Sequence, residues 1–368
     1  MNEERVKKAA LNNGKKTVLV IFGGCSSEYE VSLQSASAVI RAINREVFDV
    51  ITMGITREGE WYLYEGEAEG IEKNTWQQGR VSRACLQPDR SVHGIAIWRE
   101  KGIELCYVDV VFPVLHGKNG EDGTLQGLCE LAGIPCVGAD MMGSAICMNK
   151  EMAHQLVKAA GIRVPASVLL KKTETEDEVE GKAAKLSYPV FVKPVRAGSS
   201  FGITKVNSPV YLKSAIALAF EHDREVVIEE NIEGFEVGCA IMGNQELIVG
   251  RVDEIELTDG FFDYTEKYTL KTSKIHMPAR IPEETELRIK ETGKKIYRIL
   301  GLKDYSRVDM FLTPEGEIVF NEVNTIPGFT SHSRFPSMIK AAGFCFEQIV
   351  ERLIKLALKG GEKTEGKV

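Results

Sequence analysis

Residues Tyr305 to Pro336 read YSRVDMFLTPEGEIVFNEVNTIPGFTSHSRFP. The Thr313-Pro314-Glu315-Gly316 segment has turn chemistry, with Pro second and Gly last, between two runs of strand-forming residues. Side chains alternate along a strand, so Arg307 and Asp309 share a face, as do Glu322 and Asn324. A hairpin centred on that turn sets Arg307 opposite Glu322, with Asp309 diagonal to it. Two carboxylates, an amide oxygen and a guanidinium then converge. Hard oxygen donors of this kind suit Mg²⁺, which is often shared with substrate phosphates. The same residues also suit a ladder of cross-strand ion pairs, each worth a few tenths to about 1 kcal/mol. The hairpin alone leaves both readings open.

The rest of the chain bears on the choice. Thr17 starts an apolar strand, VLVIF, followed by Gly23-Gly24-Cys25-Ser26-Ser27 and a helix from about Tyr29 to Asn44. A glycine turn between strand and helix leaves backbone N–H groups free at the helix N-terminus. The G-x-G-x-x-G order is absent, so this is not a dinucleotide fingerprint. Glu28 stands at the helix start, where a dipole partner worth about 0.3–1 kcal/mol is the plain reading. A strand is expected around Val47–Ile55, and residues 57–105 read as an insertion at the domain's edge. The apolar run Val108–Leu115 has the character of a buried parallel strand. It ends in the polar loop His116–Gly123, before a helix Thr124–Leu131. Gly133–Gly138 reads as a short strand and Met148–Ala160 as a helix. In open α/β sheets ligands sit beyond the carboxyl ends of the strands, where the loops of Glu28 and His116 both fall.

Further along, Thr173–Leu186 reads as a charged surface helix, and Pro189–Val195 as a strand carrying Lys193. The tip Gly198-Ser199-Ser200 then offers N–H groups and hydroxyls to an anion, without the spacing of a Walker loop. Strands are expected at Ile203–Val206, Glu225–Glu230, Gly234–Met242 and Glu246–Leu257, with a helix at Ser208–Glu221. Thr258–Met277 shows no clear period, and a stretch of that length in a compact protein is usually functional, often a lid. Helices are expected at Pro282–Leu300 and Ser337–Leu358.

Composition narrows the field. At 368 residues the chain is long enough for two or three domains. A net charge of -7 argues against nucleic acid or a membrane surface as the main partner. The eight cysteines are scattered without a C-x-x-C pair, which disfavours a zinc site or a disulfide framework. The apolar run Val18–Phe22 is too short for a signal-peptide core or a spanning helix, so a cytoplasmic location is expected.

A strand-borne lysine, a glycine-rich hairpin, paired acids on a middle strand and a late Asp…Glu-x-Asn have the layout of the ATP-grasp fold. GGCSSEYEVSLQSA, LHGKNGEDGTLQG, VKPVRAGSSFG, FFDYTEKY, SRVDMF and NEVNTIPGFTSHS resemble, in order, the motifs of the D-alanine–D-alanine ligase family. The resemblance implies an α/β fold, α+β in its ATP-binding part, with a Rossmann-like domain before the ATP-grasp. The expected divisions are a polar leader 1–16, an N-terminal domain 17–140, a central ATP-binding subdomain 141–233, a C-terminal domain 234–358 with a lid 258–277, and a disordered tail 359–368.

Residue by residue, the resemblance implies that Lys150 and Lys193 contact the ATP phosphates, with Ser199 and Ser200 over them. Glu229 and Glu236 would meet the adenine edge and the ribose. Asp309, Glu322 and Asn324 would hold two Mg²⁺ (or Mn²⁺). Glu28 would bind the ammonium of the first D-alanine, with His116 near its carboxylate. Arg307 and the backbone at Gly328 would stabilise the charge of the intermediate. Lys267 and Tyr268 belong to the lid, with Tyr268 linked to Glu28 through Ser199. A homodimer is implied as well.

The chain departs from the usual family pattern after Thr330-Ser331-His332-Ser333. Family members typically carry a Leu there, packed against the second D-alanine; this chain has Arg334. A hydroxyl on the second substrate could accept a charge-assisted hydrogen bond from it, worth roughly 1.5–3 kcal/mol. The same Arg occurs in vancomycin-resistance ligases. Because Glu266-Lys267-Tyr268 is intact and Phe261-Phe262 precedes it, the pattern most resembles the VanG type of D-Ala–D-Ser ligase. The expected substrates are D-alanine and D-serine, with Phe262, Ser333 and Arg334 at the second site. An ordinary D-alanine–D-alanine ligase with Arg334 facing solvent is the alternative, and a non-catalytic nucleotide-binding module is the rival from another class.

Overall fold

The computed structural model describes residues 14–198, 201–257 and 273–365. The first sheet holds β1 (Lys16–Gly23), β2 (Phe48–Ile55), β3 (Trp61–Tyr64), β4 (Val81–Leu86), β5 (Gly94–Arg99), β6 (Gly102–Tyr107) and β7 (Val110–Val114), in the order β6-β5-β4-β3-β2-β1-β7. β1 runs parallel to β2 and β7. Its alternate residues enter two different cores. Val18, Val20 and Phe22 pack with the helix Tyr29–Ala42, and Leu19 and Ile21 with the helix Thr124–Ala132. Burial on both faces explains why β1 and β7 read as unbroken apolar runs.

Two expectations for this part are corrected. Residues 57–105 are not an insertion: β3 to β6 continue the sheet as antiparallel neighbours of β2. Their inward residues, among them Leu63, Ala84, Leu86, Ile95 and Ile97, complete a core. Those strands are four to six residues long and interrupted by polar turns, which hides the alternation. Gly133–Gly138 is not a strand either; it makes one bridge, Val111 to Cys136.

The second sheet is antiparallel: β8 (Ser167–Lys171), β9 (Val190–Pro194), β10 (Thr204–Val206) and β11 (Glu225–Glu230), ordered β10-β9-β11-β8. The helix Leu212–His222 covers it through Leu212, Ala215, Ile216 and Ala219. The third sheet, also antiparallel, has β12 (Phe235–Met242), β13 (Ile248–Val249), β14 (Asp253–Leu257), β15 (Ser273–His276), β16 (Tyr305–Leu312) and β17 (Ile318–Asn324). Its order is β15-β14-β12-β16-β17, with β13 on β12, and the helix Glu283–Ile299 packs against it.

Three single elements expected from sequence are each two. Glu246–Leu257 breaks into β13 and β14, because the Gly250 and Arg251 N–H groups turn to Ala240 O and Met338 O. Met148–Ala160 is the end of the helix Met141–Met148 and then the helix Lys150–Ala159, whose N-cap Asn149 accepts from Met152 N–H. Ser337–Leu358 is split, near Gly343, into the helices Arg334–Lys340 and Phe346–Glu365. The second of these continues to Glu365, through most of the tail expected to be disordered.

The hairpin β16–β17 also differs in register. Arg307 pairs with Asn324 and Asp309 with Glu322, not Arg307 with Glu322. Thr313 N–H bonds Glu317 O, so the turn spans one residue more than assumed, and a bulge between Asp309 and Met310 adds another. A bulge puts two residues of one strand against one of its partner and leaves no local signature in the sequence.

Candidate active site

Register makes Asp309 and Glu322 direct neighbours, with Asn324 two pairs along on the same face. Asp309 is buried at 1% exposure. Its carboxylate takes Arg307 Nε at 2.8 and 3.0 Å, Arg307 Nη2 at 2.7 Å and Asn324 Nδ2 at 2.9 Å. Glu322 lies 3.6 Å from Lys150 Nζ, which donates to Ala197 O at 2.7 Å at the base of the glycine-rich hairpin.

A cleft of about 320 Å³ opens between the second and third sheets. Lys150, Lys193, Glu229, Glu236 and Glu322 line it, with Phe191, Ile255 and Phe311 as apolar wall. Lys193 on β9 meets Glu229 on β11 at 2.6 Å. Burial pushes the Glu229 carboxyl up, but Lys193, His154 and Lys150 outweigh it and hold the group below the usual range. Glu229 Oε1 and His154 Nδ1 lie 3.7 Å apart, both buried and both without a hydrogen-bond partner among the described residues. Buried polar atoms left open in this way await a partner.

The donors fit ATP and a divalent cation. Glu229 lines a cleft with an apolar wall and two lysines, as a purine with a polyphosphate requires. No cluster of three or more His, Cys, Asp or Glu suited to a metal exists among the described residues. Two carboxylates and an amide oxygen suffice for Mg²⁺ when phosphate oxygens complete the shell. Asp309, Glu322 and Asn324 would hold the cation, and Arg307 would then share Asp309 with it.

At the first sheet's carboxyl edge, Glu28 is buried at the head of its helix. A Cβ at Gly117 would lie 2.6 Å from Glu28 Oε2, and one at Gly198 2.9 Å, so two loops approach this carboxylate closely at glycines. His116 is buried too, with Nδ1 2.8 Å from Ile326 O and Nε2 3.2 Å from Ser35 Oγ. Burial lowers its pKa against the pull of Glu28, so the ring is neutral at neutral pH. A carbonyl only accepts, so Nδ1 carries the proton. Ser35 Oγ accepts from Phe329 N–H at 3.2 Å and donates to Nε2. One ring nitrogen thus braces the loop after β17 directly and the other does so through Ser35.

Glu121 was not singled out in the sequence, although it lies in the quoted HGKNGEDG loop. It accepts from Gly117 N–H at 2.8 Å and from Ile326 N–H at 2.9 Å, tying the His116 loop to the Gly328 loop. Burial, aided by Glu28, pushes its pKa up to about 8. His154, also missed, shares the buried stripe of its helix with Lys150, four residues earlier, which was the available signal. Gly328 lies against Ser333, whose Oγ accepts from Thr330 N–H at 3.0 Å.

Arg334 corrects an expectation. It does not face solvent, as the ordinary-ligase alternative had it. It is buried, its Nε and Nη2 donate to Asp253 at 2.7 and 2.9 Å, and its Nη1 donates to Glu236 at 2.9 Å. Asp309 Oδ1 lies 3.5 Å from Nη2. Glu236, expected at the ribose, therefore also serves as a counter-ion. Ser199, Ser200, Phe261, Phe262, Glu266, Lys267 and Tyr268 lie outside the described residues.

The chain matches the family model for the D-ala D-ala ligase N-terminus over residues 17–139 and the one for its C-terminus over residues 156–355. It is 47% identical to the vancomycin B-type resistance protein VanB of Enterococcus faecalis, over 94% of this chain and 99% of that protein. A D-alanine–D-alanine ligase of Acetivibrio thermocellus is 42% identical, over 94% and 96%. Among solved structures, the VanG D-Ala:D-Ser ligase from Enterococcus faecalis superposes with a TM-score of 0.87 at 60% identity, covering 93% of this chain and 99% of that one. The chain belongs to the D-alanine–D-alanine ligase family, and is an ATP-dependent ligase of the ATP-grasp fold acting on D-amino acid substrates.

Proposed function

We propose that the protein joins D-alanine to D-serine, supplying altered peptidoglycan precursors of the kind that confer vancomycin resistance. The observation that carries the reading is Arg334, a buried and fixed cation that opens the helix after the Asp309–Glu322 hairpin. Likeness to a solved D-Ala:D-Ser ligase at 60% identity supports it. Five hydrogens surround a guanidinium. Asp253 and Glu236 accept three of Arg334's, from Nε, Nη2 and Nη1, and Asp309 Oδ1 lies 3.5 Å from Nη2. A serine hydroxyl can accept a guanidinium hydrogen, whereas a methyl group cannot.

In this reading Lys150 and Lys193 neutralise the phosphates of ATP while the carboxylate of the first D-alanine attacks the γ-phosphate. Glu28 holds that substrate's ammonium. The amine of the second amino acid then attacks the acyl phosphate, and Arg307 with the Gly328 backbone stabilises the oxyanion. Charge neutralisation and positioning dominate such phosphoryl transfer. Two Mg²⁺ at Asp309, Glu322 and Asn324, a homodimer and a cytoplasmic location belong to the same proposal. No described helix is long and apolar enough to cross a membrane.

Phosphate release with D-alanine plus D-serine or D-alanine, at equal concentrations near neutral pH, tests the substrate. A charge-assisted bond of about 1.5–3 kcal/mol predicts a ten- to hundredfold advantage for D-serine. Preference for D-alanine would establish the second reading, an ordinary D-alanine–D-alanine ligase. That reading is favoured by how fully the carboxylates already neutralise Arg334.

A further inference from the structure

The helix Lys150–Ala159 joins the two walls of the ATP cleft through two residues one turn apart. Lys150 Nζ donates to Ala197 O beside the second sheet and lies 3.6 Å from Glu322 on β17 of the third. His154 repeats the bridge: its Nε2 lies 2.6 Å from Asn321 O on β17, and its Nδ1 3.7 Å from Glu229 Oε1 on β11. Residues four apart stand above one another on a helix, so the two bridges are stacked. Glu229 lines the cleft and His154 does not. The imidazole is 3% exposed and meets the Phe320 ring edge-on at 5.4 Å.

The Asn321 carbonyl only accepts, so Nε2 carries a hydrogen. Nδ1 is left facing a carboxylate oxygen, and neither atom has a hydrogen-bond partner among the described residues. Two lone pairs set against each other in a buried site repel, whereas one hydrogen between them satisfies both. The other oxygen of Glu229 is held by Lys193 Nζ at 2.6 Å. Lys193 is therefore the counter-ion of a carboxylate that is 1% exposed and, in the reading above, also the cation that meets the phosphates of ATP. Those two tasks compete. Taking one partner away from a buried ion pair leaves the other charge uncompensated, so Lys193 can turn to a phosphate only if Glu229 keeps a second partner. The other groups that favour the charged form of Glu229 are His154 and Lys150. Lys150 is engaged with Ala197 O and Glu322, which leaves His154.

We propose that His154 is a positioning residue for ATP: it holds the second oxygen of Glu229 and so releases Lys193 to the phosphates. Through Asn321 O it also ties that carboxylate to the strand of Glu322, so the two walls keep their spacing while Lys193 changes partner. This rests on the placement of ATP in the cleft of Lys150, Lys193 and Glu229, and the experiment separates the two. Kd for ATP is measured by titration calorimetry with Mg²⁺ and without D-alanine, and KM for ATP and for D-alanine by steady-state kinetics. The proteins are the full chain, Lys193→Met, His154→Leu, Glu229→Gln and the His154→Leu/Glu229→Gln double variant. Thermal melts accompany each.

His154→Leu is expected to weaken ATP binding about tenfold, as the loss of a bond to a charged group does, in Kd and in KM alike. KM for D-alanine is expected to stay unchanged. The carboxamide of Glu229→Gln carries no charge, so Lys193 is no longer needed as its counter-ion and His154 has nothing to neutralise. On that background His154→Leu is expected to weaken ATP binding no further, whereas a residue that only fills space would cost the same factor on both. His154→Phe keeps a ring against Phe320 and takes the place of His154→Leu if that variant does not fold. Loss of affinity in Lys193→Met, with Kd unchanged in His154→Leu or lowered equally with and without Glu229→Gln, overturns the role of His154 and leaves the ATP cleft standing. An unchanged Kd in Lys193→Met overturns the placement of ATP, and the role of His154 with it.

Discussion

Replacing Glu121 by Gln should change how stability depends on pH, by an amount the structure allows to be worked out. The Glu121 carboxyl is enclosed between Gly117 N–H and Ile326 N–H, and its pKa stands at about 8, raised from 4.5 by burial and then by Glu28. A raised carboxyl binds a proton in the folded state that the unfolded chain releases. Its penalty is absent below the unfolded value, grows as pH rises, and is complete above the folded value. With a folded pKa of about 8, the contribution falls by about 2 kcal/mol between pH 6 and pH 8. Gln cannot titrate, and it sets an NH₂ against one of the two N–H donors, which costs about 1–3 kcal/mol. Urea unfolding of both proteins at pH 6, 7 and 8 checks this. The variant should be clearly weaker at pH 6 and should approach the parent at pH 8. Two stability curves that run parallel across this window would refute the reasoning, because the group would then not change protonation on unfolding.

Further consequences concern the substrate sites. Trp76 Nε1–H donates to Tyr29 OH at 3.0 Å, and Tyr29 opens the helix directly after Glu28. Trp76→Phe and Tyr29→Phe remove the same bond, worth about 1 kcal/mol, so each should raise KM for the first D-alanine roughly fivefold. KM for ATP should stay unchanged, and the double variant should be no worse than either single one; additive losses would show that the bond does not position Glu28. Lys193→Met leaves Glu229 without its nearest cation at 2.6 Å, so burial should drive that carboxyl upward. KM for ATP should rise at least tenfold, as expected for a bond to a charged group of about 1.5–3 kcal/mol, and an unaltered value in steady-state kinetics would contradict the placement of Lys193 in the ATP cleft. Glu286 has its pKa lowered to about 2, where the bonds from Arg251, Lys290 and Val252 N–H outweigh burial. Its stabilisation is complete above pH 4.5 and is lost as pH falls towards 2. Glu286→Gln should therefore lower the melting temperature at pH 6 but leave it unchanged at pH 2, as read by calorimetry.

What the chain could declare by itself was whatever depends on near neighbours. The apolar runs of β1 and β7, the turn at Thr313–Gly316, the late acids Asp309 and Glu322 and the glycine-rich hairpin after Lys193 all lie within short segments. Their periodicity and turn chemistry survive in any surroundings, so the elements and the types of the functional residues were legible. What only the tertiary structure decided depends on partners remote in sequence. The bulge at Asp309 and Met310 moved the pairing of the β16–β17 hairpin, because register is a property of two strands and not of one. His116 turned out to hold Ile326, and Glu121 to hold the same residue's N–H, because the first sheet and the loop after β17 share a core through Phe112, Phe329 and Phe335. Arg334, legible as a departure from the family pattern, owes its burial and direction to Asp253 and Gly238, which the packing of three strands brings beneath it. A side chain's identity is local, but its partners follow from how the strands pair and the sheets pack, and for Arg334 those partners fix the guanidinium in place.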